Sequence, residues 1–150
     1  MRNRSFKCPS LLVALLFVAG CHNSTGPATA SLAGVSVRFE AYLWRDFQPI
    51  APPDGQPLIM LLRFVTSDST PIPATFQADS AWVTNSADVW ATRVAEESAR
   101  TPGAPYFDVL ARNGPKWGPG IEVDVAVRLH DAAGRSVLLH AHRQLIVRTD

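Results

Sequence analysis

His140 and His142 stand two residues apart in the run LLHAHRQ. On an extended chain, residues i and i+2 leave the same face, so both imidazoles point one way. A His-x-His pair on a strand supplies two nitrogen ligands of the kind zinc and copper take, and a carboxylate from a neighbouring strand would supply a third. Asp124 is the candidate for that place. Glu122 stands diagonal to it and His130 lies at the far end of the same face. A plainer reading is the wet outer face of an antiparallel sheet, where His opposite Asp is a cross-strand pair worth about 0.2–1 kcal/mol. A second group is Tyr42 and Trp44, which alternate with apolar residues beside Arg38 and Glu40. Left open, such a face is an apolar patch with polar tips, a common contact surface. A covering layer would turn it into core. Trp82 and Trp90 form a third group. They fall opposite each other if Asn85 to Ala87 is a three-residue turn, and would then pack across the sheet or offer a stacking platform for a sugar.

Reaction chemistry is harder to find. No serine sits in a G-x-S-x-G elbow. There is no glycine-rich phosphate loop, no H-E-x-x-H and no calcium loop. The adjacent pair Glu96-Glu97 falls at a strand end, where it keeps a loop solvated. The sequence therefore predicts no enzyme.

The elements that must position these groups are strands. Twelve prolines in 150 residues disfavour long helices, and periods of two recur wherever apolar residues gather. Val35, Val37, Phe39, Ala41 and Leu43 alternate with Ser36, Arg38, Glu40, Tyr42 and Trp44. Leu58 to Val65 is an apolar run with one Arg, read as a strand buried on both faces. Thr75 to Thr84, Val89 to Ala95 and Tyr106 to Arg112 are further strands. Ile121 to His130 and Arg135 to Arg148 form a hairpin around Asp131-Ala132-Ala133-Gly134. A type I turn closed by a left-handed glycine sets Leu129 against Val137, Val127 against Leu139, Val125 against Ala141, His142 against Asp124 and Ile121 against Leu145. The apolar set then shares one face, as register demands. Arg143 is the misfit on that face. Trp117 reads as a plug at one end of the molecule. The loops Ala51 to Pro57 and Ser67 to Pro73 are rigid and turn-rich, and Glu96 to Pro105 is the most mobile of the three.

The first thirty residues have another logic. Arg2, Arg4 and Lys7 precede an unbroken apolar run, Leu11 to Ala19, the pattern of an export signal. The run is short of the roughly 20 residues that a spanning helix needs. It ends Val18-Ala19-Gly20-Cys21, which resembles the bacterial lipobox. The resemblance implies that the Cys21 thiol is alkylated with diacylglycerol, that the chain is cut before it, and that the new N-terminus is acylated, for example with palmitate. Two or more acyl chains hold a protein stably to a bilayer. The resemblance further implies a bacterial envelope lipoprotein. His22 stands where an Asp would retain such a protein at the inner membrane in enteric bacteria, so outer-membrane placement is expected in a diderm organism. Residues 22–31 are small, polar and uncharged and read as a flexible tether. The organisation expected is signal 1–20, lipidated cysteine and tether 21–31, and one domain 32–150.

Removing the signal takes three of the 14 basic residues and none of the 13 acidic ones, leaving a balance of 11 to 13. That near-neutrality and the lack of a basic run argue against nucleic acid. Cys8 and Cys21 are the only cysteines, so no disulfide and no cysteine-based zinc site is available to the domain. About 120 residues suffice for one core.

Short strands with turns every 8 to 12 residues predict an all-β chain, a single antiparallel β-sandwich of about seven strands. The stretches WVTNSADVW, Trp82 to Trp90, and KWGPGIEVDVAVRLHDAAG, Lys116 to Gly134, resemble immunoglobulin-like domains of bacterial surface proteins. They are also similar to the bacterial proteinase-inhibitor type of that fold. The functional expectation is a lipid-anchored envelope protein with a non-catalytic binding or assembly role and an envelope protein as partner. A periplasmic zinc or copper protein using His140, His142 and Asp124, and a proteinase-inhibitor-like domain, stand as alternatives.

Overall fold

The computed structural model describes residues 28–86 and 88–150. The leader, Cys21 and most of the tether lie outside these residues. Eight strands and no helix occur in the described chain: β1 (Thr29–Leu32), β2 (Val35–Asp46), β3 (Leu58–Thr66), β4 (Gln77–Asn85), β5 (Asp88–Arg93), β6 (Tyr106–Gly114), β7 (Glu122–His130) and β8 (Ser136–Thr149). β1 thus takes up the last three residues of the segment read as tether.

The strands form one curled sheet in the order β5-β4-β7-β8-β2-β3-β6, with β1 added beside β2. Its free ends approach each other, where Ala95 forms an isolated bridge to Leu110 of β6. Two expectations are corrected here. There are eight strands rather than about seven, and the sheet is mixed rather than antiparallel. β8 pairs antiparallel with β7 up to Leu145, then parallel with β2 from Ile146 to Thr149. Fourteen residues give β8 the length to serve both partners in succession.

A β-bulge makes the transfer possible. The predicted pairs Leu129–Val137, Val127–Leu139 and Val125–Ala141 are all present, but the register then shifts, so Val123 faces Gln144 and Glu122 faces Leu145. Ile121 therefore does not oppose Leu145. The extra residue is absorbed at His142-Arg143, where Arg143 takes a left-handed φ of 55°. A bulge of this kind bends the strand and re-aims its side chains. It removes the misfit noticed in the sequence: Arg143 leaves the core face and pairs with Glu122 in solvent, Nε to Oε2 at 2.9 Å.

Inside the curl, alternate residues of every long strand form one core. Phe39, Phe64 and Phe107 stack in sequence across β2, β3 and β6, with centroids 6.2 and 4.8 Å apart. Each such ring contributes about 1.5–3 kcal/mol through burial. β3 corrects a further expectation. Leu58, Met60, Leu62 and Phe64 are buried, while Ile59, Leu61, Arg63 and Val65 are only half-buried, so one face is core and the other is open. The turn between β4 and β5 also differs from the reading. Asn85 pairs with Asp88, which sets Trp82 opposite Ala91 and Trp90 opposite Val83. The two tryptophans therefore lie on opposite faces. Trp90 turns inward and packs over Gly114, where a Cβ would meet its ring at 2.8 Å. Trp117 packs against the core edge, as a plug would.

Candidate functional site

His140 and His142 project from the same outer face of β8. Their rings lie 6.1 Å apart between centroids and within 14° of parallel. Burial pushes the His140 imidazole below its ordinary pKa, and the neighbouring His142 adds to the effect. His140 is therefore held neutral at pH 7, with its nitrogens available as ligands or hydrogen-bond partners. Ala126 of β7 faces His140, and Trp82 of β4 faces Ala126 in turn.

Asp124 of β7 lies opposite the bulge. One of its carboxylate oxygens accepts the Arg143 backbone N–H at 2.9 Å and lies 3.4 Å from His142 Nδ1. Glu122 is taken by Arg143, whose guanidinium holds its carboxyl below the usual carboxylate range. His130 stands apart, 3.9 Å from Asp79. Two imidazoles and one carboxylate are thus neighbours, with the carboxylate already fixing the bulge. Among the described residues, no three His, Cys, Asp or Glu gather closely enough to hold a metal ion.

Tyr42 and Trp44 lie on the outer face of β2. Tyr42 is 49 % exposed and its hydroxyl donates to Glu40 Oε2 at 2.8 Å. That contact is the main reason its phenol is pushed above the ordinary value. Arg38 donates to the other Glu40 oxygen at 2.6 Å. Trp44 is half-buried, with Ile59 of β3 on one side and Val147 of β8 on the other.

The structure brings these two groups, a hundred residues apart in sequence, to one opening. β1 covers the edge of β2 as far as Arg38, and β8 pairs with it only from Leu43 onward. Between these contacts β2 and β8 part and leave a cleft of about 460 Å³ lined by Phe39, Glu40, Tyr42, His140, His142 and Gln144. Ala28, the first described residue, stands at the same opening. Sequence reasoning named Tyr42 and both histidines but not Gln144 or the meeting of the two strands. The parting follows from the bulge, and the bulge was signalled only by the misfit of Arg143.

A second opening, of about 380 Å³, lies under the loop that follows β5, between Glu96 to Thr101 and the outer side chains Leu61 and Leu110. This loop, read as the most mobile, is tied to the body. The Arg100 guanidinium lies 3.8 Å from the Phe107 ring centroid, donates to the carbonyl of Pro73 and pairs with Glu96 at 2.6 Å.

No family model, no curated protein and no solved structure matches the chain.

Proposed function

We propose that this chain is a bacterial lipoprotein, anchored through lipid on Cys21, whose single β-domain has a non-catalytic binding or assembly role at the cell envelope. In a diderm organism the anchor lies in the outer membrane. The layers β5-β4-β7 and β2-β3-β6, joined through β8, are read as a variant of an immunoglobulin-like sandwich. One observation carries the binding role: the β2–β8 cleft, where an exposed phenol, a carboxylate and two imidazoles meet beside the start of the tether. Its polar groups suit recognition better than acid–base chemistry. Glu40 is occupied by Arg38 and Tyr42, and Asp124 by the Arg143 backbone. The partner is an envelope protein that buries Tyr42 and the histidines.

The experiment is site-specific photo-crosslinking in cells, with the reactive group at Tyr42 or His142 and, as a control, at Thr92 in β5. A defined protein product from the first two sites, absent from the control and reduced in Cys21→Ala, supports the role. Absence of any product, from protein shown by mass to be lipidated, counts against it. A second reading, zinc or copper binding at His140, His142 and Asp124, rests on their being neighbours on one face and requires the three side chains to draw together on the ion. Calorimetric titration of the protein with each metal tests it, and His140→Ala or His142→Ala should abolish the heat of binding.

A further inference from the structure

The outer face of the β2-β3-β6 layer is divided in two. Across its middle runs a charged row, Arg38 and Glu40 of β2, Arg63 of β3 and Asp108 of β6. Every charge in it is satisfied within the row, with Arg38–Glu40 at 2.6 Å and Arg63–Asp108 at 2.8 Å. On one side of this row the β8-β2-β3 part of the face is apolar, bounded on β6 by the exposed Arg112–Glu97 pair at 2.9 Å. Val147, Trp44 and Ile59 are register neighbours, and Leu61 lies in the next row, beside Tyr42 at the margin of the cleft. The next row beyond it is Asp46 and Thr149, and the loop after β2 joins the end of β8 through the Phe47 N–H to the Thr149 carbonyl at 2.8 Å. That loop carries Ile50, 93 % exposed.

We propose that this apolar half-face rests on the surface of the bilayer that holds the chain. The inference depends on the reading that Cys21 is lipidated. Three features commit the face to a lipid surface. The tether is short: Cys21 precedes Ala28 by seven residues, which extend to at most about 25 Å. It also starts in the right place, because the Ala28 carbonyl accepts the Phe39 N–H at 3.2 Å. From Phe39 to Trp44 is five residues of strand, about 17 Å, so the lipid can reach the patch without strain. Lastly, the side chains suit the interface. The Trp44 indole is an apolar ring with a polar N–H, a side chain that suits headgroup depth, and the internally paired row beyond it marks where water begins. The row has no net charge, so the contact does not require anionic lipid.

The test uses the full-length lipidated protein in liposomes of zwitterionic lipid. The mature chain has no free thiol once Cys21 is modified, so Val147→Cys or Leu138→Cys introduces a single labelling site. Leu138 is exposed on the outer face of the other layer. A spin label at each site reports its accessibility to oxygen, which concentrates in lipid, and to a water-soluble nickel chelate. The label at 147 should be several-fold more accessible to oxygen and several-fold less to nickel than the label at 138. Equal nickel accessibility at the two sites, on protein whose lipidation is confirmed by mass, overturns the inference and leaves the anchor reading intact. A mass without lipid overturns both. Protection at 147 that vanishes as protein is diluted in lipid also overturns it, because a second copy would then be the cover.

Discussion

Arg45 is 3 % exposed, and no carboxylate pairs with it among the described residues. Its guanidinium is instead held by four backbone carbonyls from two loops. Nε donates to Gln56 at 2.9 Å, Nη1 to Lys116 at 3.1 Å and Gly118 at 2.6 Å, and Nη2 to Asp54. The Phe47 ring lies 5.1 Å from the cation. Arg45→Met keeps most of the apolar stem and removes all four bonds. Bonds from a charged donor contribute about 1.5–3 kcal/mol each, so the four together stand at roughly 6–12 kcal/mol. Against this, the charge no longer has to be taken out of water, a cost of several kcal/mol per ion. The net loss expected is about 3 kcal/mol, or roughly 10 °C in melting temperature for a domain of this size. Arg45→Lys should be no better, because an ammonium retains the desolvation cost but cannot reach two loops with one planar fork. Urea unfolding followed by tryptophan fluorescence measures both variants, with the midpoint shifting at constant slope. A Met variant within about 0.5 kcal/mol of the parent, the ordinary scatter of surface substitutions, would refute the reasoning. So would a Lys variant that matches the parent, since charge alone would then suffice.

Arg143→Gly should be close to neutral, whereas Arg143→Val should lose about 1–2 kcal/mol, because a β-branched residue resists the left-handed φ of 55° at the bulge; thermal melts of both variants decide it. The carboxyls of Asp79 and Asp131 sit below the usual carboxylate range, Asp79 chiefly through Arg128. For Asp131, burial pushes upward, but the Arg135 guanidinium and the backbone N–H groups of Arg135 and Ala133 outweigh it. Both therefore stabilise the fold at neutral pH, and that stability should fade as pH drops below about 4 through the lower folded-state values. A melting temperature that stays flat from pH 5 to pH 2.5 would contradict this. His140 should titrate below the ordinary histidine midpoint in a proton NMR titration, because its burial disfavours the charged form. His142→Ala should raise the His140 midpoint by removing the neighbour that adds to its lowering.

How much of this could be read from the chain depended on whether a signal was local. The hairpin from Val125 to Ala141 was legible because its D-x-x-G turn and its period-two pattern agree. It failed one step later, at Arg143, since a bulge adds a residue without changing composition. The slip at Trp82 and Trp90 came from counting three residues in a turn that leaves two between the last paired residues. β3 misled for another reason. Ile59 and Leu61 are as apolar as Met60 and Leu62, and a run of apolar residues does not say which side meets a second layer. The parallel meeting of β2 with β8 left no mark at all, because pairing between distant segments depends on the whole topology. The candidate site shared that fate: Tyr42 and both histidines were named, but not Gln144 or the cleft that joins them.

The double allegiance of β8 has a consequence for how the molecule comes into being. Its last four paired residues, Ile146 to Thr149, close the sheet against β2, near the opposite end of the chain. A ribosome or an export channel delivers β2 first and β8 last. Until residue 149 emerges, β7 can pair with β4, and β2 with β3, but apart from the Ala95–Leu110 bridge no strand pairing joins the two halves. Such long-range closure is slow, and unpaired edges are exposed in the meantime. A chain exported as proposed above would thus finish folding after release, outside the compartment where it was made. A stop codon in place of Ile146 would remove the seam, while leaving nearly all of the core side chains in place.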